Sequence, residues 1–428
     1  MEQCIQYALD NNIQIKQQEL LVEQNKNNLI QSKFNLLPDL SANIDYRSGW
    51  GRSLDVSTYQ YVDSDRSESS SITASASVPL FAGLQKQNTI KRNDIDLKTS
   101  IQDVEKLKND IALNVAAAYL QVLLAKESVA IAEQQLVSTK DQVEWTKKMV
   151  DGGKLTLSNL LDLQSQQAGE EAQLIRAQND LAIAFVSLKQ LLELNAENDL
   201  DIITPEILSV PEDFNDEGLE KIYQHALLTQ PDIKSSQLRL ESAEKTLAIA
   251  KGAYYPTLSF SASYNTMYSN SPIGIDTTVM PYRPMPSHSI WKQFREKHGE
   301  MIAFNLSIPI FRGLQIRTQV KNARLNIRNY ELELQKTKNT LYKSIQQAQT
   351  DAMGYLKSYQ ASVKNVGAIK EAFRYTEKKF NVGSVTSTDY IVAKNNLFKA
   401  ESDVIQAKYQ YIFKMKILDF YKGLPIKL

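Results

Sequence analysis

Four stretches of the chain alternate strictly between apolar and polar side chains. In the first, Leu40, Ala42, Ile44 and Tyr46 oppose Ser41, Asn43, Asp45 and Arg47. In the second, Ile72, Ala74, Ala76 and Val78 oppose Ser71, Thr73, Ser75 and Ser77. The third sets Leu258, Phe260, Ala262 and Tyr264 against Ser259, Ser261, Ser263 and Asn265, and the fourth Ile302, Phe304, Leu306 and Ile308 against Ala303, Asn305 and Ser307. A period of two predicts strands with one apolar face, here over 38–48, 70–79, 256–267 and 300–310. Elsewhere apolar residues step by three and four, which predicts helices over 2–35, 84–150, 154–194, 217–253, 314–381 and 385–418. Breaks are expected near Asp10-Asn11-Asn12 and at Pro231. Residues 49–68 read as a polar loop. Residues 195–215, with Pro205 and Pro211, read as an irregular connector, and 268–299, with Pro272, Pro281, Pro284 and Pro286, as a long loop.

The pattern occurs twice. Val78-Pro79-Leu80-Phe81-Ala82-Gly83-Leu84 opens one proline-free run that closes at Asp151-Gly152-Gly153. Ile308-Pro309-Ile310-Phe311-Arg312-Gly313-Leu314 opens another that closes at Val382-Gly383. In each copy 74 positions separate the proline from the closing glycine. Residues 1–215 therefore form a first structural repeat and 216–428 a second. The first long helix carries two apolar seams. One includes Val104, Ile111, Val115, Val122 and Leu136, interrupted by Lys108, Thr139 and Thr146. The other includes Ala116, Leu120 and Leu123. Two seams let a helix touch a neighbour on each side, as a wall does.

Both long helices end in lysines, Lys147-Lys148 and Lys378-Lys379, where cations suit the negative helix end. Gly153 and Gly383 suit the left-handed closing position, and Ser158 and Thr388 suit caps for the return helices.

Each strand is about ten residues, the length that crosses a bilayer when tilted. The apolar residues Leu40, Ile44, Tyr46, Ile72, Leu258, Phe260, Tyr264, Ile302, Phe304 and Leu306 then face lipid. A membrane forbids open sheet edges, and four strands cannot close the smallest barrel, of about eight. Strands from several chains must be pooled: two chains give eight and three give twelve.

The formal net charge of +0 gives no reason to expect a nucleic-acid partner. The single cysteine, Cys4, excludes a disulfide within the chain; it reads as a thiol packed in the first helical turn. No secretory signal is visible, so export implies that one has been removed. Phosphate-binding glycine loops, dinucleotide fingerprints and zinc-protease motifs are absent from the sequence. The three histidines, His225, His288 and His298, are scattered. No catalytic residue, cofactor or metal site is expected.

The doubled strand hairpins, the Val-Pro-Leu-Phe and Ile-Pro-Ile-Phe segments, and Phe380-Asn381-Val382-Gly383 followed by Thr388-Asp389 resemble the TolC-type outer-membrane efflux channels. The resemblance covers nearly the whole chain. It implies a mainly α protein with membrane β: long α-helical hairpins forming an α-barrel, plus four transmembrane strands per chain in a shared, trimeric, twelve-stranded β-barrel. It further implies an exit duct of a tripartite efflux pump or type I secretion system. The duct would take small molecules or proteins from an inner-membrane RND, ABC or MFS transporter through a periplasmic adaptor. By the same resemblance the helical tips form the gate. Asp389 sits where the family pattern places a pore carboxylate, and Asp162 is a second candidate. Asn159, preceded by Ser158, occupies an acidic position of the pattern, Val385 an arginine position and Val392 a carboxylate position. Gly152, Gly153, Leu155, Val382, Gly383 and Val385 fall where the adaptor meets the tips. Read locally, Asp389 instead stabilises a helix start, and Leu155, Val382 and Val385 pack helix ends. Two other readings fit the residues: a soluble coiled-coil scaffold with assembly hairpins, and a surface-binding protein using loop 268–299.

Overall fold

The computed structural model describes residues 1–55, 60–195, 200–203, 210, 214, 218–270, 274–276, 278, 283–285 and 287–426. The chain runs α1 (Glu2–Asn11), α2 (Ile13–Phe34), β1 (Asp39–Asp55), β2 (Gln60–Ala82), α3 (Gln85–Asp151), α4 (Leu157–Leu191), α5 (Leu219–Thr229) and α6 (Pro231–Gly252). It continues through β3 (Thr257–Ser269), β4 (Gly274–Asp276), β5 (Arg283–Met285), α7 (Ile290–Glu296), β6 (His298–Ser307), α8 (Gln315–Asn381) and α9 (Ser387–Tyr421). The connector expected over 195–215 lies largely outside the described residues, as do Pro272, Pro281 and Pro286.

Equivalent helices match in length. α3 and α8 each have 67 residues, α4 and α9 each 35, and α2 and α6 each 22. The expected breaks fall where the sequence placed them. Asn12 separates α1 from α2, its Oδ1 accepting from the Gln14 and Ile15 amides at 2.9 and 3.4 Å. Pro231 opens α6, a first-turn position where its missing N–H costs nothing. Both strand-to-helix turns place two successive residues in the left-handed region: Gly83 and Leu84 at φ 58° and 59°, Gly313 and Leu314 at 54° and 64°. Leucine is rarely found there, so its recurrence is a conformational mark of the doubled design.

Two compact units divide the chain. The helical unit comprises Met1–Glu23, Lys98–Gln237 and Leu332–Leu428. Its main core gathers Ala8, Ile15, Val115, Tyr119, Val122, Leu123, Leu188, Leu356 and Ile412, drawn from α1, α2, α3, α4, α8 and α9. Both seams of α3 are buried in this unit, Val115 and Val122 from one, Leu120 and Leu123 from the other. α3 is long and apolar enough to cross a membrane by length and composition, but these core contacts account for its apolar character. Thr139 and Thr146, which break the seam, are also fully buried. The Cys4 thiol is half-buried against the same core, and burial pushes its pKa up.

The sheet unit comprises Gln24–Leu97 and Leu238–Glu331. Its antiparallel sheet has the order β1-β2-β3-β6, and β4 pairs β5 in a separate ribbon. β1, β2 and β3 run past their expected ends, whereas β6 begins earlier than expected and stops at Ser307, leaving Ile308 and Pro309 outside the strand. β1 and β2 pair through most of the stretch read as a loop, Gly49 with Ser67 and Gly51 with Ser64, around a register shift at Gly49/Gly51. Backbone pairing needs no apolar face, whereas alternation reveals a strand only where one face is apolar. Pro79 was expected at the strand's border but lies within β2, where the register shifts between Pro79 and Phe81. Such an irregularity accommodates its missing donor. In the stretch read as a long loop, β3 extends to Ser269 and α7 forms over Ile290–Glu296. Gly83 approaches the end of α6 so closely that a Cβ there would lie 2.1 Å from the Gly252 carbonyl oxygen, so only glycine fits.

Candidate functional site

The sheet carries two chemically opposite faces. Register pairs Ile44 with Ile72, Phe260 with Phe304 and Leu258 with Leu306, and links Ala74 to Tyr264 and Val78 to Phe260. Leu40, Ile44, Tyr46, Ile72, Leu258, Phe260, Tyr264, Ile302, Phe304 and Leu306 thus share one face. Leu40, Ile44, Ile302 and Phe304 are 77%, 74%, 71% and 68% exposed. So much apolar area open on one face of a sheet calls for a nonaqueous partner. Phe260 and Phe304 pack ring to ring at 5.1 Å. The other face is lined by serines and threonines, with Ser41 and Ser75 hydroxyls 3.0 Å apart, and Ser75 pairs in turn with Ser263. Among the described residues, β1 and β6 have no sheet partner on their outer edges.

The helical unit holds the two hairpin turns. Gly153 and Gly383 adopt φ of 72° and 74°. Gly153 N donates to Val150 O at 2.9 Å and Lys154 N to Met149 O at 2.9 Å. Gly383 N donates to Phe380 O at 2.9 Å and Ser384 N to Lys379 O at 2.8 Å. Both ends are therefore the double-bonded glycine closure that satisfies the last free carbonyls of a helix. The caps of the return helices stand two residues before those expected at Ser158 and Thr388: Thr156 and Thr386 take the cap positions. A cap residue must leave helical geometry while its carbonyl begins the helix, and both threonines are extended.

Asp389 closes a capping box. Its amide donates to Thr386 Oγ1 at 3.1 Å, and its Oδ2 accepts from the Thr386 amide at 3.2 Å and hydroxyl at 2.7 Å. These bonds hold the Asp389 carboxyl below its ordinary value, the Thr386 side chain contributing most. Asp162 and Asn159 meet each other's neighbourhood through a residue the sequence reading missed. Buried Ser387, the first residue of α9, donates to Asp162 Oδ2 at 2.7 Å and lies 3.2 Å from Asn159 Oδ1. Ser158 is exposed and takes no part. Gly152, Gly153, Val382 and Gly383 are exposed and Leu155 and Val385 half-buried. Behind the turns, Leu163, Phe380 and Tyr390 are fully buried, with Val385 packed against them. Phe380 stacks on Tyr390 at 4.9 Å.

Deeper in the unit a charged pair is buried. Lys394 of α9 and Glu170 of α4 are each 5% exposed, with Nζ 3.8 Å from Oε1. Lys394 Nζ also donates to Gln135 O at 3.0 Å and to Thr139 Oγ1. Glu170 accepts from Thr139 Oγ1 at 2.5 Å, Gln135 Nε2 at 3.0 Å and Gln166 Nε2 at 2.9 Å. Burial pushes the Lys394 ammonium down, against the pull of Glu170 and Glu377. Three helices are thereby joined by one polar network whose members lie far apart in sequence. The only advance signal was Thr139, one of the two threonines interrupting the α3 seam; Thr146, the other, takes no part in the network.

A sheet with one exposed apolar face and one hydroxyl-lined face, in a chain otherwise built from paired long helices, defines an outer-membrane channel subunit. The chain belongs to the outer membrane efflux protein family, whose model matches residues 4–193 and 222–415. This is a transport family rather than an enzyme family. The chain is 20% identical over 308 residues to outer membrane protein TolC of Vibrio cholerae, covering 71% of this chain and 66% of that protein. It is 22% identical over 390 residues to outer membrane protein TolC of Escherichia coli, covering 88% of this chain and 72% of that protein. Its fold matches the outer membrane protein VceC of Vibrio cholerae with a TM-score of 0.79 at 15% identity, covering 100% of this chain and 96% of that one. The protein resides in the outer membrane and serves export as an exit duct.

Proposed function

We propose that three copies pool their sheets into one twelve-stranded barrel and their paired helices into a periplasmic tunnel. The observation that carries this reading is the sheet with two unpartnered edges and a bare apolar face, which lipid requires to be closed. In this arrangement the ten apolar strand residues meet lipid and the serine face meets water. A periplasmic adaptor engages the turns at Gly152, Gly153, Leu155, Val382, Gly383 and Val385. An RND, ABC or MFS transporter of the inner membrane delivers cargo to the duct. The soluble-scaffold alternative leaves the exposed apolar face without a partner. The test is a gel and a bilayer. Unheated protein extracted with detergent should migrate as a trimer and shift to monomer on boiling; a monomer stable in detergent-free saline refutes the barrel.

The gate belongs to the same reading. Ser387, Asp162 and Asn159 tie the start of α9 to α4, and the Thr386–Asp389 box fixes where α9 begins. Loosening both in Asp389→Ala and Ser387→Ala should raise the open probability of single channels in planar bilayers. Unchanged conductance in both variants removes these residues from the gate.

A further inference from the structure

The segment between β5 and β6 holds a feature the export role leaves unused. α7 is packed onto the sheet by side chains from both elements. Thr266 shares its face with Phe260, Ala262 and Tyr264, and its Oγ1 donates to Phe294 O at 2.8 Å. α7 therefore sits on the apolar side of β3. Gln293, only 2% exposed, clamps it. Its Nε2 donates to Ser269 O at 2.8 Å and its Oε1 accepts from Ser269 N at 3.2 Å. These bonds satisfy both backbone groups of Ser269 just beyond the end of the β6 ladder, which stops at Thr266–His298. His298, on the same face, stacks on Tyr264 at 6.0 Å.

With Gln293 turned inward, α7 presents Trp291, 76% exposed, and Ile290, 38% exposed. Around them stand Lys292, Arg295 and Lys297, all exposed. Acidic residues offset them only in part. Lys292 lies 3.9 Å from Glu296 and 3.2 Å from His288, and Glu300 stands on β6 opposite Tyr264. An indole beside clustered cations, at the end of a lipid-facing band, has the composition of a headgroup-layer contact. A hydroxyl-lined or protein-facing position would waste the exposed indole and the excess positive charge.

We propose that α7 is an interfacial anchor that seats Trp291 in the headgroup layer of the outer membrane and binds the phosphate of an anionic lipid through Lys292, Arg295 and Lys297. The inference rests on the lipid-facing assignment of the strand face. Its test is therefore built to separate the two. The full chain is reconstituted in phosphatidylcholine nanodiscs with and without phosphatidylglycerol, using lipids brominated at shallow or deep acyl positions. Shallow bromines should quench the Trp291 contribution, measured as the difference from Trp291→Phe, and aqueous iodide should quench it less than in detergent-solubilised protein. In native mass spectrometry, retention of phosphatidylglycerol should weaken roughly fivefold for each basic residue removed among K292Q, R295Q and K297Q, with phosphatidylcholine retention unchanged. Equal phosphatidylglycerol retention by the wild type and the triple variant, or iodide quenching as strong as in detergent, overturns the anchor. Ile302→Trp supplies the control. Deep quenching there with no shallow quenching of Trp291 defeats the anchor alone; no deep quenching at Ile302→Trp defeats the strand assignment itself.

Discussion

The two hairpin turns of the helical unit are built on one plan and differ in what their side chains do. Both end a 67-residue helix at a left-handed glycine and start a 35-residue helix at a threonine. At the second turn Asp389 bonds back to Thr386 and closes a local box. At the equivalent place in the first turn stands Asn159, and Thr156 makes no side-chain cap bond. Asn159 instead faces Ser387 across the unit. The buried ion pair is equally one-sided. Glu170 corresponds to Ala400 in the second copy, and Lys394 to the exposed Gln164 in the first. A duplicated backbone thus fixes helix lengths and turns, while unpaired substitutions decide which copy caps itself and which one reaches for its neighbour.

The comparison breaks most severely at the ion pair. Glu170→Leu strands a buried ammonium and should cost about 3–5 kcal/mol in denaturant unfolding of the helical unit. Adding Lys394→Met should restore most of that loss, because an apolar pair of similar volume avoids the desolvation cost. A double variant as unstable as the single one would show that the network, not the charge, is what matters.

A smaller effect is expected at the caps. Thr386→Ala should cost about 1 kcal/mol, since it removes an acceptor for a free helix amide. Thr156→Ala should cost much less, as no cap bond is lost. Hydrogen exchange of the first turns of α4 and α9 would check both, and equal losses would refute the asymmetry.

Smallest are the pH effects. Lys394 is depressed below its ordinary value of 10.5. The unfolded chain then binds more protons between the folded value and 10.5, so stability should rise with pH across that window. Lys394→Met should flatten this alkaline slope in denaturant midpoints. For Asp389, depressed below 3.8, the slope has the same sign in an acid window: its stabilisation is present above that value and fades as pH falls through the folded one. Acid titration should therefore loosen the start of α9 before that of α4.

Some of this was already present in the order of residues. Alternation at Leu40–Tyr46, Ile72–Val78, Leu258–Tyr264 and Ile302–Leu306 determined the strand faces, because a side-chain period of two sends alternate residues to opposite faces. The spacing from Pro79 to Gly153 and from Pro309 to Gly383 determined two equal helices with glycine closures, since left-handed backbone at a helix end selects glycine locally. Tertiary structure decided the rest. The polar ends of β1 and β2 became strands because they found each other's backbone, an interaction that leaves no trace in hydrophobic pattern. The Ser387 bridge, the clamp of Gln293 on Ser269 and the Lys394–Glu170 pair join positions distant in sequence. Their energies depend on distance and desolvation, and those exist only once the helices and strands have packed.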